Sequence, residues 1–422
     1  MKRKIQREAT NSFSLLLLIH CARSATETPR GNAATVMDLS IVMPCLNEAE
    51  TLATCIRKAR KAINEAGIAG EIVIADNGST DGSQDIAESE GARVVHVARK
   101  GYGNALRGGI EATSGKWILM ADADDSYDFS RIAPFIAKLK EGYDLVMGCR
   151  LPAGGGTVMP GAMPWKHRWI GNPILTFVGR LFFKSPARDF HCGLRAFTKD
   201  AFGKMGLRTT GMEFASEMVI KSTLNGLKIT EVPITLHPDG RSRPPHLRSW
   251  RDGWRHLRFM LLFSPRWLFL IPGIGICLFG LTGLATLATG RMIFGKMVLD
   301  VGTMMVCSML LLVGVQLLWL AVFTRDFAVA EGLLPPNQRL QKVLKAFSLE
   351  WGLALGFLMA SIGTLVLGSA FLDWRHVGFQ GLSYGENLRR IIPATTLIVL
   401  GIQFLFGSFF LSVLGLKTVG RD

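Results

Sequence analysis

The chain has 422 residues, of which 49% are hydrophobic, and a formal net charge of +15 at pH 7. This length exceeds one average domain, and the hydrophobic share is high for a wholly soluble protein. The positive charge does not indicate nucleic acid as a partner, because no nucleic-acid-binding motif is present and the basic residues are not interleaved with stacking aromatics. We therefore predict that part of the chain lies in a membrane.

The first 36 residues begin with the charged run MKRKIQR and continue with the apolar run FSLLLLI. This order resembles the charged and apolar parts of a signal peptide, although the apolar run is short. We predict that residues 1–36 are an N-terminal extension without fixed structure or arise from a start codon placed too far upstream. A cleaved signal peptide is the alternative.

Residues 37–245 alternate short β-branched runs with helical patterns, which predicts an α/β domain with a largely parallel sheet. The predicted strands are LSIVMP, EIVIAD, ARVVHVA and KWILMAD, and the predicted helices between them cover 48–66, 81–90 and 103–113. Polar clusters follow these strands at 44–48, 76–82, 99–104 and 122–125. Since ligands bind beyond the carboxyl ends of parallel strands, the four clusters indicate one site at one edge of the sheet.

The stretch MADADDSYD, residues 120–128, places four carboxylates within nine residues. Asp122 and Asp124 are two positions apart on an extended segment, so both can grip one Mg²⁺ or Mn²⁺ ion together with a diphosphate, while Ala123 turns aside. The alternative interpretation is a loop that caps the next helix. At the neighbouring strand ends, Glu48 and Asp76 are candidates to bind a base or ribose, and Lys100 to bind a phosphate.

The segment at 152–165 is rich in Gly and Pro and is predicted as a mobile loop beside the site or a passive linker. Within 246–266, arginines alternate with Trp, Leu and Phe at helical spacing, which predicts a membrane-interface helix; a buried amphipathic helix is the alternative. Four apolar stretches follow in a membrane domain at 267–422, namely 267–289, 298–323, 351–372 and 391–415. The basic residues around them favour a cytoplasmic α/β domain.

Several segments together resemble the GT-A fold of glycosyltransferase family 2: PCLNEAETL, ADNGSTDGS, RKGYGNALRGG, DAD, VMGCR, HCGLRAF and EVPITL. The resemblance covers roughly residues 39–244, and it is strongest to the synthases of polyprenyl- or dolichyl-phosphate glucose and mannose. It implies a Rossmann-like nucleotide-sugar transferase domain followed by four transmembrane helices. The implied enzyme is metal-dependent and moves a hexose, with UDP-glucose the favoured donor, to a polyprenyl phosphate.

The resemblance also implies roles for individual residues. Donor-binding roles fall to Pro44, Leu46, Asn47, Glu48, Asp76, Asn77, Lys100, Asp122, Ala123 and Asp124, of which Asp122 and Asp124 would hold the metal. Arg150, Arg195, Arg241 and Arg243 would contact the donor diphosphate or the acceptor phosphate, and catalytic roles fall to Asp124, Asp189, Arg150 and Arg195. Ser126 departs from the pattern, because some members place a metal-binding Gln there, and Asp125 is additional.

The acceptor decides the mechanism. A lipid phosphate is already ionised and needs cations rather than a general base, and in-line attack would invert the anomeric centre. A hydroxyl acceptor on a lipid or a growing polysaccharide would need a base, for which Asp189 and Glu217 are candidates unless they only pair with arginines. The QxxRW motif of processive synthases is lacking, since only SPRW stands at 264–267. A third alternative is a non-catalytic scaffold or flippase-associated protein.

Overall fold

The structure is a computed structural model that describes residues 37–242, 249–336, 348–381 and 383–415. The predicted extension at 1–36 and the predicted boundary at residue 245 lie outside the described residues. Arg243 also lies outside them, as do the basic residues that the sequence places between the second and third spans, Arg339, Lys342 and Lys345.

A seven-stranded sheet forms the centre of the α/β domain, in the order β3-β2-β1-β4-β7-β5-β8. The strands are β1 (Leu39–Cys45), β2 (Gly70–Asp76), β3 (Arg93–His96), β4 (Trp117–Met120), β5 (Leu145–Cys149), β6 (Thr157–Val158), β7 (Arg195–Thr198), β8 (Ile229–Pro233) and β9 (Thr235–Leu236). Strand β7 runs antiparallel to β4 and β5, the other pairs in this sheet are parallel, and β6 pairs with β9 separately. The predicted α/β class and largely parallel sheet are confirmed.

Helices cover both faces of this sheet. They are α1 (Leu52–Glu65), α2 (Ser83–Ser89), α3 (Tyr102–Glu111), α4 (Ala133–Lys140), α5 (Asn172–Phe183), α6 (Lys199–Met205) and α7 (Phe214–Leu224). Strand β1 shows why two cores form: Ile41 belongs to the core under α1 and its neighbour Val42 to the core under α3, because successive side chains of a strand point to opposite faces. Both are fully buried, which contributes about 1.5–3 kcal/mol each.

The helix predicted at 48–66 begins at Leu52 instead. The residues before it form a turn, in which the backbone N–H groups of Thr51 and Leu52 donate to the Glu48 carbonyl at 3.1 and 3.0 Å. The Glu48 N–H donates to the Ser83 hydroxyl at 3.0 Å, across to the neighbouring strand end. Glu48 is therefore held at the sheet edge rather than carried on a helix.

Beyond the α/β domain lie α8 (Ser249–Leu262), α9 (Ile271–Thr289), a hairpin of β10 (Met292–Phe294) and β11 (Met297–Leu299), α10 (Val301–Ala330), α11 (Leu349–His376) and α12 (Tyr384–Leu414). Four segments are long and apolar enough to cross a membrane: Arg266–Thr289, Val301–Ala330, Leu349–His376 and Tyr384–Leu414. The four predicted spans are confirmed as candidates by length and composition. The predicted start of the second at residue 298 was wrong, since Val298 lies in β11.

Glycines allow the spans to pack closely in pairs. A Cβ on Gly280 of α9 would stand 2.5 Å from the Leu311 nitrogen of α10, and one on Gly401 of α12 would stand 2.6 Å from the Gly356 carbonyl of α11. These backbones approach more closely than any larger residue permits.

At the other end of α10, the Arg208 guanidinium of the α/β domain donates to the Glu331 carbonyl at 2.9 Å. The domain and the connection after α10 thus lie on the same side of the spans.

Candidate functional site

The turns after β1 and β2 are tied together at the carboxyl edge of the sheet. Asn47 adopts a left-handed conformation with φ of 61°, and its Oδ1 accepts from the Thr80 N–H at 2.8 Å. The Asn47 N–H donates to the Ser79 hydroxyl at 3.0 Å. Pro44 is paired with Ala75 within the parallel ladder, whereas Leu46 is 41% exposed. These contacts leave Leu46 as an apolar surface that a ligand can contact.

Asp76 fixes its own turn. Its carboxylate accepts from the N–H groups of Gly78 and Ser79, both at 3.0 Å, and from the Gln84 amide at 2.8 Å. Burial acts to raise the Asp76 pKa, but the hydrogen bonds from Ser79 and Gly78 outweigh it and the pKa lies below its ordinary value. Asp76 is therefore an anion whose oxygens hold the turn after β2.

Asn77 holds the loop that carries Lys100. Its Oδ1 accepts from the Gly101 N–H at 2.8 Å, and its Nδ2 donates to the carbonyls of Val97 and Arg99, both at 2.9 Å. The Lys100 ammonium donates to the Asn77 carbonyl at 2.6 Å. Because both polar atoms of its side chain are engaged, Asn77 positions Lys100. The predicted role of Asn77 in binding the nucleotide stays a prediction.

The carboxylates of MADADDSYD separate into two groups. Asp125, with φ of 60°, turns toward α1 and pairs with Lys58 at 2.6 Å, and Asp128 accepts from the Ser130 N–H at the start of the 3₁₀ turn Phe129–Arg131. Asp122 and Asp124 stay at the sheet edge, with the buried Ala123 between them. Asp128 thus caps the next turn, as the alternative interpretation has it. Asp122 and Asp124, the predicted pair, remain at the site.

Asp122 and Asp124 have different partners. The Tyr102 hydroxyl, at the start of α3, donates to Asp122 at 2.9 Å. The Ser126 hydroxyl donates to Asp124 at 2.6 Å, so the residue that replaces the Gln of other members orients a metal-binding candidate. Burial, and then the charge of Asp124, raise the pKa of Asp122 to about 6. Two carboxylates this close to one another favour a nearby cation.

Arg241 supplies a cation at this point. Its guanidinium donates to Asp124 at 2.6 Å, to Glu48 at 3.1 Å and to Asp239 at 3.3 Å. The segment before it runs along the loop after β4, with the Gly240 N–H donating to the Asp124 carbonyl at 3.0 Å. Residues that are 117 and 193 positions apart from Arg241 therefore converge on one positive group.

The donor set fits a hard divalent ion that also binds the ligand. Carboxylate oxygens at alternate positions, plus phosphate oxygens, are how Mg²⁺ is commonly bound in enzymes. Among the described residues, no group of three or more His, Cys, Asp and Glu side chains could hold a metal by itself. Asp122 and Asp124 can supply two carboxylate ligands to such an ion, with the other ligands coming from a bound substrate.

Arg150 and Asp189 form a second ion pair, which is sealed. Two guanidinium nitrogens donate to the two Asp189 oxygens at 2.7 and 2.9 Å, and the Arg150 N–H donates at 2.9 Å. Asp189 is fully buried; burial acts to raise its pKa, but Arg150 outweighs this and the pKa is lowered. Glu217 is also fully buried and accepts from Arg208, Thr209 and Lys221. Neither acid is available as a general base, and that expectation is corrected for both.

Arg195 does not face the site. It is fully buried in the first position of β7, between β4 and β5, and its guanidinium donates to the carbonyls of Cys192, Phe190 and Ala215. The predicted contact of Arg195 with a phosphate was wrong, because the side chain points into the domain and ties the loop before β7 to α7.

Three residues near the site were missed from the sequence. Besides Tyr102, the Tyr127 hydroxyl accepts from the Gly193 N–H at 2.8 Å and lies 3.5 Å from a nitrogen of Arg150. A Cβ on Gly193 would stand 3.0 Å from an oxygen of Asp122. All three lie in motifs that the sequence analysis quoted, namely RKGYGNALRGG, MADADDSYD and HCGLRAF, but their spacing alone gave them no role.

A cavity of about 860 Å³ begins at Leu151, next to Arg150, and extends along α5. Its lining combines exposed apolar side chains, such as Trp169 and Phe177, with basic ones, namely Arg168, Arg180, Lys184 and Arg188. The Gly- and Pro-rich segment forms part of the wall through its first residues. The amphipathic helix α5 was not predicted, and its apolar face is one wall of this cavity.

Comparison with known proteins gives two matches to family models. Residues 40–206 match the glycosyl transferase family 2 model, and residues 322–415 match the glycosyltransferase family 2 C-terminal transmembrane region. The first covers strands β1 to β7, helices α1 to α6 and the turns between them, and it ends before β8 and Arg241. The second covers the end of α10 and all the described residues of α11 and α12.

Two similar proteins come from Haloferax volcanii. The low-salt glycan biosynthesis hexosyltransferase Agl6 is 37% identical over 379 residues, which cover 89% of each chain. The glycosyltransferase AglJ is 34% identical over 251 residues, 59% of this chain and 78% of the other. A solved structure of glucosyl-3-phosphoglycerate synthase from Mycobacterium tuberculosis, in complex with Mn²⁺, uridine diphosphate and glucosyl-3-phosphoglycerate, is 21% identical and covers 56% of this chain and 84% of that chain, with a TM-score of 0.41. At that level the likeness carries no argument about ligands.

Proposed function

This chain belongs to glycosyltransferase family 2 and is a membrane glycosyltransferase with a GT-A fold; from this premise we propose that it moves a hexose from a nucleoside diphosphate to a polyprenyl phosphate, with inversion. The hexose is supported by the name of the relative Agl6, a hexosyltransferase. UDP-glucose is the favoured donor. The product would be a lipid-linked sugar for glycan assembly.

The cavity along α5 is the observation that carries the acceptor assignment. A polyprenyl phosphate has an apolar chain and a dianionic head, and the cavity offers Trp169 and Phe177 for the first and Arg168 and Arg180 for the second. One of the lining residues, Leu151, follows Arg150 in the chain, so an acceptor bound in this cavity would lie close to the Arg150–Asp189 pair. Apolar surface rimmed by basic residues is typical of sites for anionic lipids.

The donor would bind at the turns after β1, β2 and β4. In this proposal Leu46 contacts the base, Asp76 and Asn47 shape the turns around it, and Lys100 lies near the phosphates. Arg241, which lies between Glu48 and Asp124, would exchange these carboxylates for the donor diphosphate, and Arg243 would add a further charge. Because the acceptor phosphate is already ionised, no residue has to remove a proton from it.

Asp122 and Asp124 would hold Mg²⁺ or Mn²⁺, which when bound neutralises the diphosphate leaving group. Tyr102 and Ser126 orient these two carboxylates by donating to them. Asp189 neutralises Arg150 and fixes its geometry, so the acceptor phosphate would be met by the basic residues that line the cavity along α5. Positioning two anionic substrates next to one another is thus the main task of the chain's own side chains.

We further propose that residues 37–245 are the catalytic domain, that 246–266 lie in the membrane interface and that 267–422 anchor the enzyme. The catalytic domain would face the cytoplasm, as the distribution of basic residues favours. A hydroxyl acceptor is the weaker alternative, because Asp189 and Glu217 are both engaged in buried contacts. A non-catalytic scaffold would not need the arrangement of Asp122 and Asp124.

The test is a transfer assay with detergent-purified protein, Mg²⁺ or Mn²⁺, undecaprenyl phosphate and a panel of radiolabelled nucleotide sugars, followed by butanol extraction. We expect label in the butanol phase with one donor, loss of that label with EDTA, and loss in Asp124→Ala but not in Asp125→Ala. Consumption of a donor without lipid labelling would contradict the phosphate acceptor. Transfer in EDTA would contradict the metal assignment.

A further inference from the structure

A second cavity, of about 280 Å³, lies where the catalytic domain meets α8. The domain contributes Arg208, Thr209, Thr210 and Glu213, and α8 contributes Arg255, Arg258, Phe259 and Leu262. Three guanidinium groups thus surround a small space with one carboxylate. None of these residues lines the cavity along α5, and none belongs to the proposed donor site.

The lining specifies the chemistry of a ligand. Arginines and a threonine hydroxyl, that of Thr210, are donors that phosphate oxygens prefer. The Thr209 hydroxyl already donates to Glu217 at 2.7 Å, and one nitrogen of Arg208 donates to the Glu331 carbonyl. Beside them, Phe259 is buried and Leu262 is 56% exposed, so an apolar group can extend from the charged one. The helix α8 ends four residues before the candidate span that begins at Arg266, and basic residues next to a span attract anionic lipid head groups. The cavity therefore fits the phosphate of a membrane lipid.

This cavity is also connected to the donor site by hydrogen bonds. The Thr210 carbonyl accepts from the N–H groups of Gly103 and Asn104 at 3.0 and 3.3 Å, at the start of α3. The Thr209 carbonyl accepts from Arg107 of the same helix at 3.0 Å. Tyr102, in the first turn of α3, donates to Asp122. A ligand that orders residues 208–213 would therefore order the helix that orients a proposed metal ligand.

We propose that this cavity is a regulatory site that binds the phosphate group of an anionic membrane phospholipid, and that its occupancy tightens donor binding. The site differs from the acceptor site in its residues and in its effect. The acceptor is consumed in the reaction, whereas this lipid remains bound and acts through α3. The proposal goes beyond the proposed function, and lipid binding can be measured without any transfer reaction.

The first experiment measures lipid binding to the full chain in detergent by native mass spectrometry, with phosphatidylglycerol and phosphatidylcholine as probes. We expect tighter binding of phosphatidylglycerol, and a loss of about fivefold in its affinity for each of Arg208→Gln and Arg258→Gln. Arg251→Gln removes the same charge from the same helix outside the cavity and should change the affinity less than twofold. Equal losses in all three variants, or equal binding of both lipids, would overturn the proposal.

The second experiment separates lipid from free phosphate and tests regulation. Uridine diphosphate is titrated with Mg²⁺ onto the protein in phosphatidylcholine nanodiscs, in the same nanodiscs with 10 mM inorganic phosphate, and in nanodiscs with about a third phosphatidylglycerol. We expect about fivefold tighter binding with phosphatidylglycerol alone, lost in Arg258→Gln. The same effect from inorganic phosphate would overturn the lipid assignment, and no change with phosphatidylglycerol would overturn the regulatory role. Both outcomes are readable whether or not a polyprenyl phosphate is the acceptor.

Discussion

The catalytic domain contains two arginine–carboxylate clusters that use the same chemical groups for different ends. Arg150 and Asp189 satisfy each other completely, with Asp189 fully buried. Arg241 instead meets Glu48, Asp124 and Asp239 at the sheet edge, where acids outnumber the guanidinium. A matched pair that is sealed from water fixes a loop. The cluster at the edge carries more negative than positive charge, so a metal ion can take the place of Arg241 beside the carboxylates. A site for a metal and a diphosphate requires such an exchange.

The difference predicts which substitutions abolish chemistry and which abolish folding. Removing a charge from the edge cluster should lower activity with a smaller loss of stability, because the side chains of Asp124 and Asp239 are 12% and 34% exposed whereas that of Asp189 has no exposure. Removing a charge from the sealed pair leaves its partner buried without compensation, which costs far more stability. The predictions that follow test this division, beginning with the largest expected effect.

Asp124→Asn should lower transfer about 1,000-fold, because it removes a metal-binding carboxylate and weakens the hold on Arg241. The measurement is initial rate of lipid labelling at saturating donor, with thermal melting as the check on folding. Asp125→Asn is the matched control: the neighbouring acid pairs with Lys58 away from the site, so its activity should stay within twofold. Equal losses in both variants would mean that the loop, rather than the edge cluster, matters.

Asp189→Asn should lower the free energy of unfolding by about 3–5 kcal/mol, because the Arg150 guanidinium would remain buried without its carboxylate. The expected sign is a large drop in melting temperature or loss of the folded protein during purification. Asp200→Asn breaks an exposed pair with Lys204 and should leave the melting temperature unchanged. A folded, inactive Asp189→Asn protein would instead argue for a direct part in the reaction.

Arg241→Gln should lower kcat/KM for the donor about 100-fold and lower the melting temperature less than Asp189→Asn does. The guanidinium already lies against two site carboxylates, and a diphosphate would offer it similar oxygens. Arg241→Lys should recover part of the loss, since the charge remains while the two-pronged geometry is lost. Arg93→Gln, at a pair with Glu71 outside the site, is the control. Full activity of Arg241→Gln would mean that Arg241 only neutralises the neighbouring carboxylates and does not bind the donor.

The features of the fold and of the site that depend on local sequence pattern could be predicted. Short β-branched runs located the first four strands, and parallel pairing then brings Cys45 beside Asp76, so the polar ends after β1 and β2 meet. The pair Asp122 and Asp124 followed from their spacing. Bounds were less accurate, as at Leu52, because hydrogen bonds between distant turns decide where the helix begins.

The features that could not be predicted depend on contacts between residues that are far apart in the chain. Nothing local distinguishes Arg195, which the antiparallel insertion of β7 turns inward, from Arg241, which meets Glu48 across 193 positions. The pairing of Arg150 with Asp189 likewise joins residues 39 positions apart. The exposed apolar face of α5 was missed because its sequence is equally compatible with a buried helix. The basic and acidic residues were identified, but only the fold assigns them to the edge or to the interior.

Asp122→Asn should make the protein more stable while lowering transfer. Its effect on stability is therefore opposite in sign to that expected for Asp189→Asn in the sealed pair. The pKa of Asp122 is raised to about 6 by burial and by Asp124, above its ordinary value near 4. The charged carboxylate therefore destabilises the fold above pH 6, and this penalty vanishes as the pH falls toward 4. In EDTA at pH 7.5 we expect a gain of about 1–2 kcal/mol, or a few degrees in melting temperature, which shrinks at pH 5. With Mg²⁺ and uridine diphosphate the order should reverse, because only the wild-type protein gains stability from ligands that need this carboxylate. A loss of stability at pH 7.5, such as we expect for Asp189→Asn, would place Asp122 with the sealed pair instead.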